Sequence, residues 1–109
     1  MRPGKRLMVS ELEGERGFRL SGELDMSNAR ELASNLDPEI LRGGTIVLDV
    51  PDLTFMDSTG LQVLIRCALQ LGDRGRIVLR APGNLVRSIL ELAVRTDRLP
   101  NLVIEEGIE

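Results

Sequence analysis

Histidine, tryptophan and tyrosine are missing from this chain, and cysteine occurs once. Without histidine there is no Ser-His-Asp or Cys-His catalytic arrangement and no His-bearing zinc site. The lone Cys67 cannot close an internal disulfide, which suits a reducing compartment. Phe18 and Phe55 are the only aromatic residues, too few to stack single-stranded nucleic acid. Neither sign of charge dominates: 14 basic and 17 acidic residues leave a net charge of −3, which offers no attraction to nucleic acid or to an anionic membrane. No apolar run approaches the roughly 18 residues of a bilayer span. The basic start, Met1 to Leu7, is not followed by the apolar core of a signal peptide. The composition predicts a cytoplasmic protein with no metal, no cofactor and no catalytic residues of its own.

What is present is the material of one α/β domain. A chain of 109 residues is the size of a single core. Residues 1–6 read as a flexible N-terminus and 7–109 as the domain. A short strand is expected from Leu7 to about Glu15. After a turn, Phe18, Leu20, Gly22 and Leu24 alternate with polar residues, the pattern of a half-buried strand. The two strands should pair as an antiparallel hairpin. Ser27 or Asn28 can cap a helix whose apolar face is Ala29, Leu32, Ala33 and Leu36. Asp37-Pro38 is expected to interrupt it before a further short helical turn.

Ile46, Val47, Leu48 and Val50 form a nearly continuous apolar run, which suggests a central strand covered on both faces and ended by Pro51. A second helix is expected from Ser58, with Leu61, Leu64, Ile65, Ala68 and Leu69 on one face. Residues 77–79 read as the next strand, 85–92 as a third helix with Val86, Ile89, Leu90 and Ala93 inward, and 102–104 as a last strand. Leu85 and Leu92 lie off that stripe, and core packing is expected for both. The arginines of the second half, seven against seven acids, read as a solvated surface. The order predicts a mixed, mostly parallel sheet of four to five strands, with an N-terminal antiparallel hairpin and three to four helices.

The segment that carries chemistry is Asp57-Ser58-Thr59-Gly60, where a buried strand delivers a serine to the start of an amphipathic helix. Free backbone N–H groups and a partial positive charge at that position tolerate added negative charge. Gly60 presents no side chain to obstruct the backbone of a visiting protein. A nucleophilic role fits poorly: Met56 stands where a nucleophile elbow needs glycine, and no histidine accepts the proton. Ser58 is then either a helix cap or the acceptor of a phosphate from a separate kinase. On the outer face of the helix lie Gln62, Val63, Arg66 and Cys67. Val63 and Cys67, four residues apart beside Arg66, read as partner surface or as a helix–helix contact.

Residues 50–61, Val-Pro-Asp-Leu-Thr-Phe-Met-Asp-Ser-Thr-Gly-Leu, resemble the signature of the bacterial STAS-domain anti-sigma factor antagonists. Upstream, residues 20–25, Leu-Ser-Gly-Glu-Leu-Asp, resemble the second-strand motif of that family. The resemblance implies that Ser58 is phosphorylated by an anti-sigma factor that is also an ATP-dependent serine kinase, with Thr59 as a second, minor acceptor. It also implies that Asp25 and Asp57 contact that kinase. Together with Gly60 and the outer helix face, the expected partner surface is Asp25, Asp57, Ser58, Thr59, Gly60, Gln62, Val63 and Arg66. Unphosphorylated protein would bind the anti-sigma factor and free a sigma factor; phosphorylated protein would let go, and a phosphoserine phosphatase would reset it. The implied protein is a monomer or weak dimer. The alternative is a non-phosphorylated STAS scaffold subunit of a transport or larger signalling complex.

Overall fold

In the computed structural model, which describes residues 6–107, five strands form one sheet in sequence order. They are β1 (Met8–Glu11), β2 (Gly17–Leu24), β3 (Gly44–Met56), β4 (Gly75–Arg80) and β5 (Leu102–Glu105). β1 pairs antiparallel with β2, and every later pair is parallel. The crossovers are α1 (Ala29–Arg42), α2 (Ser58–Leu71) and α3 (Asn84–Asp97), with a 3-10 turn at Gly72–Arg74. The mixed sheet, its hairpin and the three helices agree with the architecture read from the sequence. Residues 1–5 of the N-terminal stretch expected to be flexible lie outside the described residues.

Alternation sets the burial. Phe18, Leu20 and Leu24 of β2 join Ile46, Leu48 and Val50 of β3 and Ile77 and Leu79 of β4 on one sheet face. Leu32 and Leu36 of α1, Leu64 and Ala68 of α2, and Val86 and Leu90 of α3 complete the same cluster. The opposite face of the central strands buries Val47 and Val78 next to an ion-pair cluster, with no described helix packed on it. Asp49, 7% exposed, sits in register between Arg19 of β2 and Arg80 of β4. It pairs with both, at 2.9 and 3.2 Å. Arg80 also grips both carboxylate oxygens of Glu15, so the β1–β2 turn is tied across the sheet. The bonds the guanidinium donates to Glu15 and then to Asp49 push its pKa further up.

Both interior prolines overturn expectations drawn from the sequence. Pro38 lies inside α1, which runs unbroken to Arg42. Pro38 is exposed, and so is Ser34, whose carbonyl loses its helical donor, so water can serve the freed oxygen. Pro51 lies inside β3. Pairing of β3 with β4 stops at Asp49, so beyond it β3 is a one-sided strand. The register against β2 slips there, from Arg19↔Asp49 to Ser21↔Asp52, which is a bulge and a place where a missing N–H costs little. A second slip follows between Gly22↔Leu53 and Glu23↔Phe55. These extra residues carry β3 to Met56 and set where Ser58 emerges.

The first strand is shorter than expected, and the inward faces of two helices differ from the sequence reading. In α2 the buried set is Gly60, Val63, Leu64, Cys67, Ala68 and Leu71. Leu61 and Ile65 are half-buried and Leu69 is 65% exposed. The period was right, but the stripe is turned toward Val63 and Cys67, because α2 packs on α1 as well as on the sheet. In α3, Leu85 and Leu92 are exposed rather than in the core.

Candidate functional site at the C-terminal edge of the sheet

Parallel strands bring the β2–α1 and β3–α2 loops to the same end of the sheet, where crossover folds place their sites. The last pair of β2 and β3 is Leu24↔Met56, and the Asp57 N–H extends the ladder by donating to the Leu24 carbonyl at 3.1 Å. Asp57 then joins the two loops. Its Oδ1 accepts the Gly60 N–H at 3.0 Å and caps α2, while its Oδ2 accepts the Met26 N–H at 3.2 Å. The N-cap is therefore Asp57 and not Ser58, which is the first residue of the helix proper.

The β2–α1 loop is held by its own side chains. Asp25 Oδ1 accepts both the backbone N–H and the hydroxyl of Ser27. Asn28 Oδ1 accepts the Asp25 N–H at 2.9 Å, and its amide nitrogen donates to the Glu23 carbonyl. Asn28 is the residue preceding α1, yet it makes no side-chain cap bond, because its amide stitches the loop instead. Asp25 and Asp57 are both half-buried.

Between these fixed loops the Ser58 and Thr59 side chains are exposed. Neither hydroxyl is bonded to another described residue, whereas the neighbouring Asp57 carboxylate is engaged through both oxygens. The site thus offers a free hydroxyl on the first turn of a helix with no acidic residue of its own. Free N–H groups there favour an added anion by about 0.3–1 kcal/mol.

Two residues of the expected partner surface are placed differently. Val63 is buried in the core, 8% exposed, and belongs to the α2 packing face. Gly60 is buried too. A Cβ there would meet Leu24 Cγ at 2.5 Å, so the missing side chain serves the contact of α2 with β2 and not a visiting backbone. Gln62 and Arg66 are exposed on α2. Cys67 is buried, and its thiol pKa is pushed up to about 11, chiefly by desolvation, with Asp37 adding and Arg66 opposing. It is a core residue.

Sequence reasoning missed Met26 and Phe55, exposed by 77% and 40% beside Asp25 and at the end of β3. They place apolar surface at the same end as Ser58. The signal for Met26 was its position, a large apolar side chain in an otherwise polar loop. Phe55 gave none, since its outward direction follows from the second slip in β3.

A family model described as Mlab, STAS domain matches residues 7–102. The chain belongs to the STAS domain family. Solved structures share the fold of this STAS domain. The unphosphorylated anti-sigma factor antagonist SpoIIAA superposes with a TM-score of 0.66 at 22% identity, over 91% of this chain and 87% of that one. An anti-sigma factor antagonist from Mycobacterium paratuberculosis gives a TM-score of 0.70 at 24% identity, over 90% and 84%. No described helix of the STAS domain is long and apolar enough to cross a membrane.

Proposed function

We propose that this STAS domain is an anti-sigma factor antagonist that works by partner switching, with Ser58 as the switch. The observation that carries the reading is the exposed Ser58 hydroxyl, bonded to no other described residue, on the first turn of α2 between loops that Asp57 bonds together. The names of the solved proteins with this fold support the same class of role. In the unphosphorylated state the loops, with Asp25, Asp57, Thr59, Gln62 and Arg66 around Ser58, bind an anti-sigma factor with serine kinase activity and free its sigma factor. Gly60 and Val63 support that surface from within.

The modification needs no catalytic group of this chain. Ser58 Oγ attacks the γ-phosphorus of ATP held by the partner, the bond to the bridging oxygen breaks, ADP leaves, and a base on the kinase takes the hydroxyl proton. A phosphoserine brings about −1.5 to −2 charges. The helix start accommodates them, but an anionic group of the partner does not. Like charges about 4 Å apart cost roughly 4 kcal/mol at an effective dielectric near 20. Release follows, and a phosphatase restores the binding form. Thr59 is a secondary acceptor on the same turn.

Incubation with ATP and a candidate anti-sigma kinase, followed by mass spectrometry of intact protein and peptides, tests the reading. One added phosphate mapped to Ser58 and lost in Ser58→Ala is expected. No incorporation with a partner that binds the protein would favour a non-phosphorylated scaffold.

A further inference from the structure

The opposite end of the sheet holds an open cleft of about 520 Å³ between the α2–β4 and α3–β5 connections. Its lining includes Leu69 near the end of α2, exposed by 65%, and Pro100. It also includes three guanidiniums, Arg74, Arg76 and Arg98, against one carboxylate, Asp73. Among the described residues none of the three arginines pairs with a carboxylate; Arg6, Arg30, Arg66 and Arg95 do not either, so what marks these three is that they line one cleft together.

Their hydrogen bonds show which are available. Arg74 reaches back to the carbonyls of Ile40 and Gln70, closing the ends of α1 and α2, so it contributes charge but few donors. Among the described residues Arg76 uses only Nε, toward the Thr45 hydroxyl at 3.3 Å. Arg98 makes no bond through its side chain to any described residue, and it follows α3 in the left-handed conformation, at φ 52°. Two guanidinium forks are thus unoccupied beside an exposed leucine. A fork of this kind binds a carboxylate through two parallel hydrogen bonds.

We infer that this cleft is a second protein-docking site, which takes an acidic peptide segment of a partner with one aliphatic side chain between carboxylates. The charge, net +2 among the lining residues, selects the acidic flanks, and the exposed Leu69 side chain takes the aliphatic anchor. A cleft open along one side suits a segment of chain better than an enclosed small molecule. It lies about 20 Å from Ser58, at the far end of the 14-residue α2. One partner can therefore be held here whichever state Ser58 is in, making the domain a tether as well as a switch. The inference does not depend on Ser58 being phosphorylated.

Fluorescence anisotropy of a fluorescein-labelled pentapeptide, four glutamates around a central leucine, tests the site on the full chain. Saturable binding is expected, weakened tenfold or more in Arg76→Gln/Arg98→Gln, severalfold in Leu69→Ser, and unchanged in Ser58→Asp. These are surface changes, and circular dichroism checks that each variant folds. Replacing the glutamates with lysines should abolish binding. Affinity within twofold of native in the double arginine variant would overturn the inference, as would no saturation at about 1 mM peptide. Equal affinity for a peptide of glutamates with no leucine, displaced fully by inorganic sulfate, would reassign the cleft to a small anion. Self-association in sedimentation that the double variant abolishes would reassign it to a second copy.

Discussion

The two ends of the sheet close their helix termini with opposite chemistry, and each leaves something unused. At the C-terminal end, carboxylates and amides do the closing: Asp57 caps α2 and bonds the neighbouring loop, and Asp25 and Asn28 stitch that loop to itself. At the N-terminal end, side-chain donors do it: Arg74 serves α1 and α2, Arg16 reaches the Gly43 and Glu39 carbonyls, and the Asn101 amide reaches those of Ala68 and Gly72. Both choices follow the helix dipole, anions at the start and cations at the finish. What differs is the remainder. One end is left with a bare hydroxyl that can become an anion, the other with guanidiniums that can receive one. The side chains the fold does not need are where recognition can reside.

Each capping role in that contrast has a measurable size. The largest stability effect is expected at the close contact beneath Ser58. Gly60→Val forces a branched side chain against Leu24 Cγ, and urea denaturation should show a loss of about 2–3 kcal/mol, with α2 lifted from β2. Asp57→Ala removes the α2 cap and the bond to Met26, and should cost about 1–2 kcal/mol. Asp57→Asn keeps one oxygen to accept from Gly60 but sets an amide donor against the Met26 N–H, so it should recover only the cap's share of that loss. An equal loss in both variants would mean that the bond to Met26, and not the cap, carries the stability.

The matching change at the other end, Arg74→Met, keeps the aliphatic stem and removes the carbonyl donors, and about 1 kcal/mol is expected. No measurable loss would show that water replaces the guanidinium and that the symmetry between the ends is only geometric. The smallest effect concerns Cys67. Burial raises its thiol pKa from 9.0 to about 11, so the fold favours the neutral thiol. That contribution is complete below pH 9 and is lost as the pH rises through about 11. Cys67→Ala should flatten this decline, and the native thiol should react with Ellman's reagent only after urea is added.

Alternation and helical periodicity made the element order legible, because burial on one face leaves its mark at every second or fourth residue. The prolines misled because their cost depends on tertiary setting. Pro51 falls where β3 has already parted from β4, and Pro38 on the wet side of α1. Nothing local reveals either fact. Ser58 was legible as an exposed hydroxyl at a helix start, but the cap next to it was not separable from partner contact. Asp57 has two oxygens, and only the neighbouring loop, 31 residues upstream at Met26, shows where the second one goes. Val63 was ambiguous for a related reason: α2 packs on α1 as well as on the sheet, and its closeness to β2 depends on Gly60 meeting Leu24.

The central claim is that a charge on Ser58 acts on a partner and not on the fold. Isothermal calorimetry of an anti-sigma factor kinase against native protein and Ser58→Asp, alongside urea denaturation of both, tests it directly. The account expects a 10²- to 10³-fold weaker association for Ser58→Asp, about 3–4 kcal/mol, with stability changed by less than about 0.5 kcal/mol. Equal affinities, or a weakened association that tracks a comparable loss of folding stability, would contradict it.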